Sequence, residues 1–214
     1  MNLIRYAEAE IPTEHGPFRL VVYRDPSAPP NVPAQEHMAM VRGDVEGRAN
    51  VLCRVHSECW TSEVVGSLKC DCREQLDAAL ERIAAEGTGV VVYLRQEGRG
   101  IGLGNKVRAY ALQNSGADTV EANLALGFEP DERDYEPAAA ILKDLGVRSV
   151  RLLTNNPLKV HGVREAGIPV TDRISHWVGE NQYNTAYLAV KRRKMGHHPD
   201  KPVKLRALPS ARKG

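Results

Sequence analysis

Gly89-Val90-Val91-Val92-Tyr93-Leu94 runs directly into Arg95-Gln96-Glu97-Gly98-Arg99-Gly100-Ile101-Gly102-Leu103-Gly104-Asn105-Lys106. The first six residues form a short apolar run, the pattern of a strand buried on both faces. Glycines then recur at 98, 100, 102 and 104, and the stretch 106–113 reads as a helix ended by Gly116. Strand, glycine loop and helix make one α/β unit. Glycines let backbone N–H groups approach a phosphate, arginines add forked charge, and a helix N-terminus favours an anion. The loop is neither a P-loop nor a dinucleotide fingerprint, because the required third glycine and the Gly-Lys-Ser/Thr ending are missing. The alternative reading is a plain surface loop.

Working outward, 71–86 reads as an amphipathic helix with Leu76, Ala79, Leu80 and Ile83 on one face and Gly87 as its stop. Downstream, 138–145, 159–166 and 181–194 read as helices, 149–154 as a strand, and 168–170 opens a last short strand. Upstream, 18–23, 37–41 and 51–55 read as strands. Turn signals at 13–17 and 25–30 give a β-hairpin start and a proline-rich loop. The expected fold class is α/β (mixed α+β). We expect a single domain with a mixed sheet, a β-rich N-terminal part, an alternating strand/helix middle, and a C-terminal helix with a basic tail.

Of 214 residues, 42% are hydrophobic and 26% charged, which excludes a wholly disordered chain. No apolar run approaches the ~18 residues of a membrane helix. The first residues lack the apolar core of a signal peptide, so a cytoplasmic protein is expected. Net charge is +2 but uneven: 191–214 holds nine Lys/Arg against Asp200, which leaves the rest at −6. Such a tail suits a polyanion, or is simply a solvated terminus.

Four cysteines lie at 53, 59, 70 and 72. Cys59, Cys70 and Cys72 have the spacing C-x10-C-x-C. Three thiolates with an open fourth position fit catalytic zinc, the alternative being simple buried cysteines. Cys53 lies six residues before Cys59, about 20 Å along an extended strand, and reads as a buried free thiol. His56-Ser57-Glu58 is similar to the H-x-E of zinc nucleobase deaminases, but the Pro-Cys-x-x-Cys that should follow is absent. Asp131-Glu132-Arg133-Asp134-Tyr135 alone reads as a solvated turn. Thr154 and Lys159 flank a strand end entering a helix, where α/β folds bind ligands; they are candidate phosphate or base contacts, or a cap.

Together these segments form a series: Arg54-Val55-His56-Ser57-Glu58-Cys59, Ser67-Leu68-Lys69-Cys70-Asp71-Cys72, Arg95 to Arg99, 105–113, 118–123, Asp131-Glu132-Arg133-Asp134 and 152–159. In order and gaps the series resembles that of GTP cyclohydrolase II, over about residues 3–197. The resemblance implies a catalytic domain at 1–197 and a basic tail at 198–214. It implies the hydrolysis of GTP to 2,5-diamino-6-(5-phosphoribosylamino)pyrimidin-4(3H)-one, formate and pyrophosphate, the first committed step of riboflavin biosynthesis. It also implies one zinc per chain, magnesium with the GTP phosphates, and a homodimer; the short apolar runs argue against a membrane partner, and the net acidic body against a nucleic-acid one.

Carried over by position, the resemblance makes Cys59, Cys70 and Cys72 the zinc ligands. It makes Arg54, Val55, His56, Ser57, Glu58, Gln75, Glu97, Gly98, Arg99, Thr119, Thr154 and Lys159 the GTP contacts. Asp131 matches the general base, Arg133 a nucleophile at the α-phosphate, and Tyr110 a tyrosine that assists ring opening. Arginine stays protonated and has no free lone pair, so stabilising charge on the transferring phosphate is the easier role for Arg133. Trp60, Ser62, Glu63, Arg73 and Gly104 depart from the family's usual residues. The changes beside the cysteines leave open a specialised paralogue that releases pyrophosphate but retains the formyl group. A deaminase lacks its full motif. A nucleic-acid module would rest on the tail alone, beside a net acidic body.

Overall fold

In the computed structural model, the described residues are 3–27, 36–115, 118–129, 131–194 and 196. The basic tail at 198–214, Gly116 and the end of the proline-rich loop lie outside them. Among the described residues there are seven strands in one sheet and seven helices.

The strands are β1 (Ile4–Thr13), β2 (Gly16–Arg24), β3 (Glu36–Arg42), β4 (Val51–Ser57), β5 (Gly89–Leu94), β6 (Val150–Leu153) and β7 (Val170–Ile174). Their order across the sheet is β1-β2-β3-β5-β4-β6-β7. The first three pair antiparallel, and β3 pairs antiparallel with β5. From β5 through β4 and β6 to β7 all pairings are parallel. The sheet is therefore mixed, with its antiparallel hairpin at one edge and its parallel half where the chain alternates strand and helix, as the sequence pattern implies.

The helices are α1 (Trp60–Glu63), α2 (Cys72–Glu86), α3 (Gly102–Asn114), α4 (Thr119–Ala125), α5 (Glu136–Asp144), α6 (Pro157–Glu165) and α7 (Thr185–Lys194). Side chains alternate across a strand, and β4 uses both faces. Val51, Cys53 and Val55 join Val90, Val92 and Leu94 in the larger core, with Ile141 and Leu142 of α5 and Val160 and Val163 of α6. Leu52 faces the other way, with Val91, Leu153, and Ala79 and Ile83 of α2. Continuing along that second face, the next two side chains are Arg54 and His56, both buried. The face under α2 thus turns from apolar to polar at the carboxyl end of the strand.

Three differences from the sequence reading stand out. Helix α3 begins at Gly102 rather than 106, so half of the glycine loop is helical. The rest is a single 3-10 turn, Glu97–Gly100. The short helices α1 and α4 escape a periodicity reading because neither is long enough to show a stripe. Helix α4 does carry a signature: Asp118 accepts from Val120 N and Glu121 N, and the Glu121 carboxylate returns to Asp118 N, a complete capping box. No helix among the described residues is long and apolar enough to cross a membrane.

Gly162 lies where α6 passes Tyr135, and a Cβ there would overlap the Tyr135 ring at Cδ2. Tyr135 is itself buried in the larger core and has little room to yield. Gly162→Ala is expected to destabilise the fold by about 1–3 kcal/mol, the usual cost of overpacking, read as a lower urea midpoint at unchanged slope.

Candidate active site

The carboxyl ends of β5, β4, β6 and β7 open onto one cleft of about 490 Å³. Parallel α/β sheets place ligands at this edge, where the chain leaves each strand for a loop or helix.

Cys59 stands just past the end of β4, where its carbonyl accepts from Ser62 N and Glu63 N and so starts α1. Cys70 and Cys72 lie at the entry to α2. The three sulfurs all lie within 4.8 Å of one another, and Cys59 Sγ is 3.5 Å from Cys70 Sγ. Tetrahedral zinc with bonds of about 2.3 Å holds its sulfurs roughly 3.8 Å apart, so the cluster fits such an ion, with one side open to the cleft. Cys53 faces the opposite core, its thiol pushed up to about 12 by burial, and does not join the cluster. Lys106 Nζ lies 3.1 Å from Cys59 Sγ and 2.6 Å from Glu97 Oε1. Hydrogen bonds from Cys70 and Cys72 hold the Cys59 thiol far below its usual range, and Lys106 adds to this. The two donor thiols are pushed up in turn.

Glu97 joins this cluster to the glycine turn. Its carboxylate accepts from Trp60 N, from Gly98 N at 2.7 Å and from Lys106. Gly98 and Arg99 both have left-handed backbones, φ 64° and 62°. That conformation is costly for arginine and is typically held in place by its surroundings. Here Arg99 O accepts from Glu132 N at 3.0 Å, and a Cβ on Gly100 would come within 2.8 Å of Glu132 O. The turn and the acidic segment therefore pack backbone to backbone.

That contact brings Arg133 into the cleft. Its Nε donates to Asp131 Oδ1 at 2.7 Å and its Nη2 to Asp131 Oδ2, a forked pair. Burial alone would raise the Asp131 carboxyl, but the Arg133 guanidinium and the charge of Arg99 outweigh it and hold it below the usual carboxylate range. Burial likewise opposes charge on Arg133, and the Asp131 partner overcomes it, so Arg133 stays protonated. Asp131 is thus the guanidinium's counter-ion and a weak proton acceptor.

On the floor, Arg54 donates to Leu153 O at 2.8 Å and to Gln75 Oε1, and Gln75 donates to Asp71. Burial lowers Arg54 to about 10. Lys159 donates to Val55 O at 2.6 Å, and burial with the charges of Arg54 and Arg133 holds it well below its usual value. His56 Nε2 is 2.7 Å from Glu63 Oε1, and Glu63 also accepts from Tyr93 OH and Cys59 N. Tyr110 has its hydroxyl pushed up to about 12 by burial, and the ammonium groups of Lys69 and Lys106 lie 4.9 and 5.8 Å from its ring centroid.

Of the residues singled out in the sequence, Arg54, His56, Ser57, Glu58, Cys59, Cys70, Cys72, Gln75, Glu97, Gly98, Arg99, Tyr110, Arg133, Thr154 and Lys159 line this one cleft. Val55 does not bring its side chain there; it faces the larger core and offers only its carbonyl. Asp131 enters through Arg133. Thr119 opens α4, and its side chain lies outside the described residues. Thr154 also accepts from Asn156 N at 3.0 Å, but the cap of α6 is Asn156, whose side chain accepts from Leu158 N, so Thr154 lines the cleft and does not cap the helix. Lys106 and His176 were not singled out. Lys106 had a signal, standing four residues before Tyr110 on the same face of α3. A lone histidine after the last strand had none.

Asp131→Asn leaves the largely buried Arg133 without its counter-ion and is expected to cost about 3 kcal/mol of stability. The folded carboxyl lies below its unfolded value near 3.9, so its contribution is complete above that pH and fades as pH falls through the folded value. The gap between wild type and Asp131→Asn in urea unfolding should be constant from pH 8 to 5 and close below about pH 4.

The family model of GTP cyclohydrolase II matches residues 4–175. A GTP cyclohydrolase-2 of Actinobacillus succinogenes is 54% identical over 194 residues, 91% of this chain and 87% of that protein. That of Pasteurella multocida is 53% identical over 194 residues, 90% and 86% of the two chains. That of Haemophilus influenzae strain PittGG is 52% identical over 193 residues, 90% and 87%. A solved two-domain 3,4-dihydroxy-2-butanone 4-phosphate synthase of A. baumannii aligns at TM-score 0.39 and 24% identity, over 71% of this chain and 34% of that one.

Proposed function

Since the chain belongs to the GTP cyclohydrolase II family, we propose that it hydrolyses GTP to 2,5-diamino-6-(5-phosphoribosylamino)pyrimidin-4(3H)-one, formate and pyrophosphate, the first committed step of riboflavin biosynthesis. The observation that carries this reading is the cluster of Cys59, Cys70 and Cys72 opening onto the same cleft as Arg54, Arg99, Arg133 and Lys159. Thiolates suit zinc, and arginine guanidiniums suit a triphosphate.

In this reading Cys59, Cys70 and Cys72 would hold zinc, which would supply Lewis acidity and a more acidic bound water for the hydrolytic chemistry. Every other role falls to side chains. Lys106 offsets the negative charge of the thiolates and keeps Cys59 ionised. Tyr110, beside two ammonium groups, is placed to exchange a proton as the imidazole ring opens. Arg133, held protonated by Asp131, stabilises the α-phosphate as pyrophosphate leaves rather than attacking it. Arg54, Gln75, Thr154 and Lys159 orient the nucleotide, and magnesium accompanies its phosphates. Three waters are consumed: one opens the ring, one releases formate and one splits the α–β phosphate bond.

The reading extends to a catalytic domain at 1–197, a homodimer and a cytoplasmic setting. Its test is a product assay on zinc-loaded protein with GTP and magnesium. Formate and pyrophosphate in equal amounts are expected; pyrophosphate with the formyl carbon retained in the nucleotide would mark the specialised paralogue instead. Cys59→Ser is expected to lower bound zinc well below one per chain and formate release at least ~100-fold, measured by metal analysis and by mass.

A further inference from the structure

His176 directly follows the Ser175 that leaves β7. It is 1% exposed, yet it lines the cleft. Two bonds fix it. Its backbone N–H donates to Asn155 Oδ1 at 3.0 Å, and its ring Nε2 lies 2.7 Å from the carbonyl oxygen of Gln75. A carbonyl only accepts, so Nε2 carries the proton and Nδ1 carries the lone pair. That Nδ1 is buried and has no hydrogen-bonding partner among the described residues. Burial, with the charges of Arg54 and Arg82, holds the ring down to about 3, so it remains a neutral acceptor at physiological pH.

Arg54 meets the same Gln75 from β4 through Nη2, and its Nε–H is likewise buried and without a partner among the described residues. Around Gln75 the cleft wall therefore offers an unused acceptor on His176 and an unused donor on Arg54. A buried polar atom without a partner is destabilising, and a bound group of the right kind recovers that cost.

We infer that His176 is a specificity-determining residue for the nucleotide, its Nδ1 accepting a hydrogen bond from an N–H or O–H group of the bound guanosine triphosphate. This rests on the proposed function for the identity of the substrate. The nucleotide offers such donors in the exocyclic 2-amino group of the base and in the ribose hydroxyls. Inosine triphosphate lacks the first, and the 2′-deoxy and 3′-deoxy forms of GTP each lack one of the second.

Two substitutions separate recognition from anchoring. His176→Gln can keep a donor for the Gln75 carbonyl but has no acceptor at the Nδ1 position. His176→Asn loses that donor reach but can place an amide oxygen near Nδ1. Zinc-loaded wild type and both variants are titrated with GTP and the three analogues, following quenching of Trp177, which lines the same cleft, and kcat/KM is measured for each. Wild type should bind one analogue about 10-fold more weakly than GTP. His176→Gln should bring GTP down to that analogue's level, through KM more than kcat, while His176→Asn keeps most of the discrimination. If wild type treats all four nucleotides alike, or if His176→Gln retains the full discrimination, the residue only anchors the end of β7 to α2 and the inference fails. The proposed function fails by a different sign: no formate from GTP with wild type, whatever the binding preferences.

Discussion

Strand β4 must be buried on both faces and still carry a guanidinium and an imidazole at its carboxyl end. One face, Val51, Cys53 and Val55, is ordinary core. The other begins with Leu52 under α2 and then turns to Arg54 and His56. Buried groups of this kind are tolerated only when their polar atoms find partners. Arg54 finds Leu153 O and Gln75, and His56 finds Glu63. Those partners come from β6, α2 and α1, so pairing two polar side chains fixes how three elements meet the sheet edge. The cleft is where that pairing is incomplete.

The same economy links the cysteine cluster to the arginine end of the cleft. Glu97 holds the backbone of Trp60, the glycine turn and the ammonium of Lys106, which in turn touches Cys59. The turn's left-handed Arg99 packs on the backbone of Glu132, which presents Arg133. A shift at the cysteines therefore reaches the arginines through a short series of direct contacts. Arg54, Arg133 and Lys159 stand in one buried region with Asp131 as the close counter-ion of Arg133. The field of the two arginines is one reason that Lys159 sits so far below its usual value. A polyanion entering there relieves repulsion already present, which favours binding without further rearrangement.

Much of this was legible in the sequence. The apolar run 89–94, the amphipathic stripe of α2 and the helix read at 138–145, found as α5 at Glu136–Asp144, belong to long or well-punctuated elements, where periodicity and turn residues suffice. The C-x10-C-x-C spacing singled out the three cysteines that the fold gathers and set Cys53 apart. Helix α1 and the left-handed turn were not legible, because they are held by tertiary partners such as Glu97 and Glu132 rather than by local preference. Asp131-Glu132-Arg133 read alone as a solvated turn, since nothing local shows that Arg99 O will pair with Glu132 N. His176 was invisible for the same reason: its meaning comes from Gln75, a hundred residues away in the chain.

The central claim is that three thiolates hold a metal with one position open to the nucleotide cleft. X-ray absorption at the zinc edge of purified, zinc-loaded protein tests this most directly. The account predicts one zinc per chain with three sulfur neighbours and one lighter atom, the lighter shell changing when nucleotide is added. Four sulfur neighbours, or a zinc shell that nucleotide leaves untouched, would make the site a closed structural clasp and contradict the account.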